Sequence, residues 1–139
     1  QDWKYLPYYN TASVNAGVPG YNLSDVLLIT HGISASRHSA CTARNHFERF
    51  HTSGIVAHSH RLGTFHFRAY GGSWVFFENG CLCTLEPPYS PSPNWQNGFC
   101  AGYIYHDTDK PNELPRFDIQ NILIHNRKLS WQGQLYKAD

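Results

Sequence analysis

Val26-Leu27-Leu28-Ile29-Thr30-His31-Gly32 and, a helix's length later, Gly54-Ile55-Val56-Ala57-His58-Ser59-His60-Arg61 decide how this chain reads. Each opens on a short unbroken apolar, β-branched run, the pattern of a strand buried on both faces, and each run leads straight into histidine. Between them, Ala40, Ala43, Phe47 and Phe50 recur at helical spacing behind Ser39, an N-cap residue type, which predicts an amphipathic helix over Ala40–His51. Strand, helix, strand is a βαβ unit. Such a unit sets the carboxyl ends of two parallel strands side by side, the place where open α/β sheets hold ligands. His31, His58 and His60 are therefore expected to converge, although a single histidine at a strand end is more often a hydrogen-bonded polar residue than a ligand. Neutral imidazole takes Mn, Zn, Fe or Ni, so the residue type alone does not choose the ion.

Outward from this unit, residues 1–25 carry Pro7, Gly17, Pro19 and Gly20 among Asn, Ser and Tyr and read as a loop-rich lead-in to residues 26–139. Downstream, Thr64–Tyr70 and Ser73–Phe77 read as a β-hairpin turning through Gly71-Gly72. Gly80–Thr84 reads as another strand, followed by a Pro- and Ser-rich loop, Glu86–Asn97, whose Tyr89 and Trp95 are expected to pack down onto the body. Gly98–Tyr105 and Ile119–His125 read as strands, and Lys128–Tyr136 returns from a turn at Asn126-Arg127.

The 139 residues suffice for one domain, and the net charge of +1 gives no electrostatic reason for a nucleic-acid backbone or membrane-surface partner. No apolar run approaches the roughly 18 residues of a membrane span. The chain lacks Met and begins at Gln1, which predicts that translation starts further upstream and that a segment was removed or a longer polypeptide is represented only in part. Nine histidines are an enrichment that directs attention to spacing. The four cysteines, Cys41, Cys81, Cys83 and Cys100, contain no zinc-ribbon CxxC pair, and buried free thiols are favoured over disulfides. The Asn22-Leu23-Ser24 sequon is compatible with secretion, but the reading favours the cytoplasm.

The run Leu27–Gly32, the helix, and Ile55–Arg61 together resemble the last two metal-binding motifs of the calcineurin-like metallophosphoesterases, in particular phage and bacterial members. The likeness continues through Arg61-Leu62-Gly63, Tyr70-Gly71-Gly72, Glu78-Asn79-Gly80-Cys81-Leu82 and Asn94-Trp95-Gln96-Asn97-Gly98-Phe99 to Trp131-Gln132-Gly133. The resemblance implies an α/β fold in which this chain is the β-rich C-terminal portion of a metallophosphoesterase-type β-sandwich, with mixed sheets face to face and helices flanking them. It implies that His31 and His58 bind one divalent metal ion and His60 a second. In the family, hydroxide between the ions attacks phosphorus in line, and both ions neutralise charge on the phosphate oxygens. Arg61, beside the ligands, is a candidate contact for substrate phosphate, with a solvent-facing pairing to Glu48 or Glu78 as the alternative.

The family's Asp-x-His, bridging Asp and Asn-His come from its N-terminal half and have no counterpart here; Asn45-His46 lies after His31, inside the helix, and Ala57 stands where the family has Gly. Two adjacent divalent cations need negative ligands to offset their repulsion, so the chain alone is not expected to run the two-metal reaction and no catalytic residue is assigned. The expected function is the C-terminal half of a phosphomono- or diesterase, completed by the missing half or by self-association, with nucleic acid entering only as substrate. The alternatives are a non-catalytic binding or assembly module derived from that fold, or one half of a split enzyme. His38, His46 and His51 are read as solvated helix surface, and His66, His106 and His125 as structural.

Overall fold

The structure, a computed structural model, describes residues 20–138, so the lead-in reading for residues 1–19 lies outside the described residues. The chain is mixed α/β, mostly strand, with a single helix among the described residues. Five strands form the main sheet: β1 (Tyr21–Leu23), β2 (Leu27–Thr30), β3 (Gly54–Val56), β4 (Leu62–Ala69) and β5 (Gly72–Asn79), in the order β1-β2-β3-β5-β4. Residues 21–23 of the expected loop are thus a strand, which pairs antiparallel with β2.

β2, β3 and β5 run parallel, with Thr30 opposite Val56 and Val56 opposite Glu78. The βαβ reading holds, and a third parallel strand extends it: after the β4–β5 hairpin, β5 docks on β3, so three carboxyl ends line one edge. The hairpin turns through Tyr70-Gly71, because Gly72 is already paired with Ala69. Gly80–Thr84 is not a strand. Gly80 adopts φ +64° and ends β5, leaving one isolated bridge between Cys81 and Asn97.

The helix α1 (Cys41–Phe50) covers the sheet. Its Ala43 and Phe47 pack with Leu28, Val56 and Phe76, while Phe50, Phe65 and Trp74 close the margin of this core. Burying the Leu, Val and Phe side chains of this core contributes about 1.5–3 kcal/mol each. The helix begins differently from expectation. Ala40 holds the N-cap position at φ +65° with no side-chain cap, because the Ser39 hydroxyl instead donates to the Leu62 carbonyl. The capping role passes to Glu78 of β5, whose carboxylate accepts the Ala43 N–H at 3.0 Å. On the solvent face Arg44 and Glu48 form an exposed ion pair of 2.7 Å, which stabilises the fold little.

Beyond the main sheet, β6 (Gly98–Tyr105) pairs antiparallel with β7 (Arg116–Leu123), and β8 (Lys128–Trp131) with β9 (Gln134–Lys137). Lys128–Tyr136 is therefore two strands, turning at Gln132-Gly133, while the turn at Asn126-Arg127 forms as expected, both residues at positive φ. The sheets are not closed. Phe99, Ala101, Ile122, Leu129, Trp131 and Tyr136 line an apolar groove of about 350 Å³ between the two hairpins. No helix among the described residues is long and apolar enough to cross a membrane.

Candidate metal centre

His31 leaves the end of β2, and His58 and His60 leave the end of β3. Gly32 permits the first exit: its φ of +103° suits glycine, and a Cβ there would lie 2.7 Å from the Val56 side chain. The second exit is tighter. Ser59 N–H donates to the Ala57 carbonyl at 2.7 Å, and His58 and His60 on either side take φ of +66° and +57°. As a result, His31 Nε2 and His58 Nδ1 stand 3.1 Å apart with ring centroids at 4.9 Å, both side chains open to solvent.

That separation serves an N–H···N hydrogen bond, and it also serves two ligands of one ion. Metal–nitrogen bonds of about 2.0–2.1 Å at angles between octahedral and tetrahedral place two ligand nitrogens about 2.9–3.4 Å apart. His60 is half-buried, its ring 4.4 Å from that of Trp95. Burial, reinforced by the neighbouring His58, His31 and Arg61, holds its pKa below the ordinary range and favours the neutral form that ligates metals. The structure brings His31 and His58 into contact, whereas the His60 Nδ1 lies toward Cys83 Sγ at 4.0 Å.

Arg61 is buried. One of its nitrogens, Nη1, donates to the carbonyls of Ser36 (2.5 Å) and Ser59 (2.9 Å), while Nε is buried without a hydrogen-bond partner. Neither acidic partner of the alternative reading is used. Glu48 pairs with Arg44, and the fully buried Glu78 accepts from Ala43 N–H and, at 2.9 Å, from the Ser59 hydroxyl. Glu78 thus ties the first turn of α1 to the residue between the two histidines.

Two further groups escaped the sequence reading. His46, expected on a solvated surface, is buried beneath the first exit: Nδ1–H donates to the Thr42 carbonyl at 2.8 Å, and Nε2 accepts the Ile33 N–H at 3.2 Å. The signal was present in the pairs Thr42–His46 and Ala43–Phe47, adjacent i,i+4 steps that together make one buried stripe. Cysteine placement also differs from the buried-thiol expectation. All four are free, Cys41 and Cys83 are exposed, and Cys81 and Cys100 are half-buried. Ligand atoms of His60, Cys81 and Cys83 all lie within 4.8 Å of one another, a grouping that could hold a metal ion. The i,i+2 spacing of the cysteines hinted at a shared face, but nothing local tied them to a histidine 21 positions earlier.

No family model, curated protein or solved structure matches the chain.

Proposed function

We propose that this chain is the C-terminal half of a metal-dependent phosphoesterase, in which His31 and His58 share one divalent cation and His60 serves a second. The observation that carries this reading is the 3.1 Å approach of His31 Nε2 to His58 Nδ1 at the ends of adjacent parallel strands. The two imidazoles fit one ion, and their contact is the one that the motif resemblance demands. When bound, the ions supply charge neutralisation at a phosphoryl centre and lower the pKa of water. The chain's own contribution is to hold two ring nitrogens at ligand spacing, with the Gly32 turn and the buried His46 beneath them.

The second ion needs carboxylates. Among the described residues the one grouping of three or more His, Cys, Asp or Glu suited to a metal contains no acid. In this reading the acidic ligands come from another polypeptide segment, which also completes the face-to-face sandwich, and Arg61 in its buried position braces the histidine loop behind the phosphate site. The open apolar groove around Phe99, Ile122 and Trp131 supports such an added layer.

The missing acids also favour a second reading, a binding module that retains a single ion. Metal titration separates the two. Mn(II) or Zn(II) is expected to bind through His31 and His58, with affinity lost in His31→Ala and His58→Ala. Anomalous scattering then shows two ions about 3.5–4 Å apart in a completed phosphoesterase and one in a module. If both substitutions leave metal binding intact, the site assignment fails. Hydrolysis of a chromogenic phosphodiester by this chain alone, unchanged in His58→Ala, refutes it equally.

A further inference from the structure

We propose that His60, Cys81 and Cys83 form a thiolate-containing site for zinc(II), distinct from the His31–His58 pair and sharing only the His60 ring with the phosphoesterase reading. The inference goes beyond that reading and stands on two cysteine donors that it does not use.

The neighbouring carboxyl ends of two parallel strands, β3 and β5, create the site. β5 ends beside β3, and the φ of +64° at Gly80 turns the chain back so that Cys81 and Cys83 face the loop carrying His60. Backbone bonds fix this closure: Gly80 N–H donates to the Arg61 carbonyl (2.7 Å), Gln96 N–H to the His60 carbonyl (2.9 Å) and Cys81 N–H to the Gln96 carbonyl (3.1 Å). The donors consequently sit on framed segments, with Cys83 Sγ 4.0 Å from His60 Nδ1 and all three ligand atoms within 4.8 Å. In a tetrahedral zinc site with Zn–S of about 2.3 Å and Zn–N of about 2.0–2.1 Å, ligand atoms stand about 3.5–3.8 Å apart. Small side-chain rotations close the difference.

The surroundings have the character of a metal's outer shell. Asn97 Nδ2 donates to the carbonyls of Cys83 (2.8 Å) and Cys81 (3.3 Å) and points an N–H at Cys81 Sγ (3.7 Å). One amide thus holds both cysteine residues in place and offers a donor to a thiolate. Trp95 stands edge-on to the His60 ring and shields one side of the site. Sulfur donors select zinc-class cations over Mn or Mg, and three protein ligands leave the fourth tetrahedral position for solvent or a small exogenous ligand. Binding is an exchange without redox change: Zn(II) enters, two S–H bonds break, and two protons pass to buffer.

The test is titration of the reduced, chelator-treated chain with Co(II), followed by displacement with Zn(II). One equivalent is expected to raise sulfur-to-cobalt charge-transfer absorption, which Zn(II) then removes. The band is expected to vanish in Cys81→Ser and Cys83→Ser, and affinity to fall at least about tenfold in Asn97→Ala. His60→Ala is expected to shift the band even where residual binding survives. Cys41→Ser, Cys100→Ser, His31→Ala and His58→Ala are expected to keep it. Circular dichroism of Cys83→Ser, whose side chain is exposed, guards against misfolding as the cause of loss. No charge-transfer band in the folded wild-type chain, or a band that persists in the Cys81→Ser/Cys83→Ser double variant, overturns the site. Because the His31 and His58 variants retain the band, failure of the phosphoesterase reading and failure of this one give different results.

Discussion

Glu78→Gln tests whether a buried carboxylate, remote in sequence, is what starts α1 and steadies the histidine loop. Glu78 is fully buried and accepts two hydrogen bonds, from Ala43 N–H in the first turn of α1 and from the Ser59 hydroxyl. Glutamine keeps the shape and an oxygen for Ala43, but it turns two charge-assisted bonds into neutral ones and removes the negative charge from the helix N-terminus. Charge-assisted bonds are worth about 1.5–3 kcal/mol against about 0.5–1.5 for neutral ones, and a partly buried charge at a helix end contributes up to about 2 kcal/mol. Relief of carboxylate desolvation offsets part of this, so the expected loss is about 1–3 kcal/mol. Glu78→Leu leaves the Ala43 N–H and Ser59 hydroxyl unpaired and is expected to cost about 3–5 kcal/mol. Urea unfolding measures both, with an unchanged m-value required for the comparison. The network also predicts coupling: Ser59→Ala is expected to be harmful alone and nearly neutral once Glu78 is leucine. Equal losses for Gln and Leu, or strictly additive effects with Ser59→Ala, refute the reasoning.

Desolvation, reinforced by Arg49 and His58, holds the His46 pKa below its ordinary value of about 6.5, against the smaller raising effects of the Thr42 carbonyl and Glu78. The unfolded chain then binds this proton more readily than the folded one. Stability is full above about pH 6.5 and falls as the pH drops toward the folded-state value. His46→Gln is expected to flatten the slope of unfolding free energy below about pH 6.5, and an unchanged slope refutes the assignment. Burial pushes the Cys100 thiol up to about 12, so at pH 8 its thiolate fraction is on the order of a thousandfold below that of an ordinary thiol. Alkylation followed by peptide mass spectrometry is expected to label exposed Cys41 and Cys83 well before Cys100, and comparable rates at the three refute it.

The part of the fold legible in the sequence was the part whose burial is written locally. Leu27–Thr30 and Gly54–Val56 are short, largely apolar runs buried at most positions, and so the βαβ unit and its terminal histidines could be read from composition and order. What failed to read were groups satisfied from far away. Glu78 follows Phe76-Phe77 and resembles the polar end of a strand, yet its partners are 35 and 19 residues distant. Ser39 has the right chemistry for an N-cap, but the Leu62 carbonyl captures its hydroxyl and the β5 acid takes its role. Gly80–Thr84 has a strand's composition, but the left-handed turn at Gly80 breaks the ladder after β5.

The backbone at His58 and His60 gives the site its character. Two non-glycine residues in the left-handed region within three positions cost about 1–3 kcal/mol each, and such strain persists only where the surroundings over-determine it. Here they do so from several sides: Gln96 N–H on the His60 carbonyl, Gly80 N–H on the Arg61 carbonyl, the Arg61 guanidinium on the Ser59 carbonyl, and Glu78 on the Ser59 hydroxyl. Every one of these bonds holds the loop between or beyond the histidines, and the hydrogen bonds of the two rings go to His31 and to Cys83. An unstrained strand exit would send residues 58 and 60 toward the same face of the sheet, since side chains two apart share a side. The strained exit instead separates them, directing His58 to the end of β2 and His60 to the turn after β5. One short loop thereby serves both neighbouring strands, setting the His58 ring against His31 and the His60 ring toward Cys83.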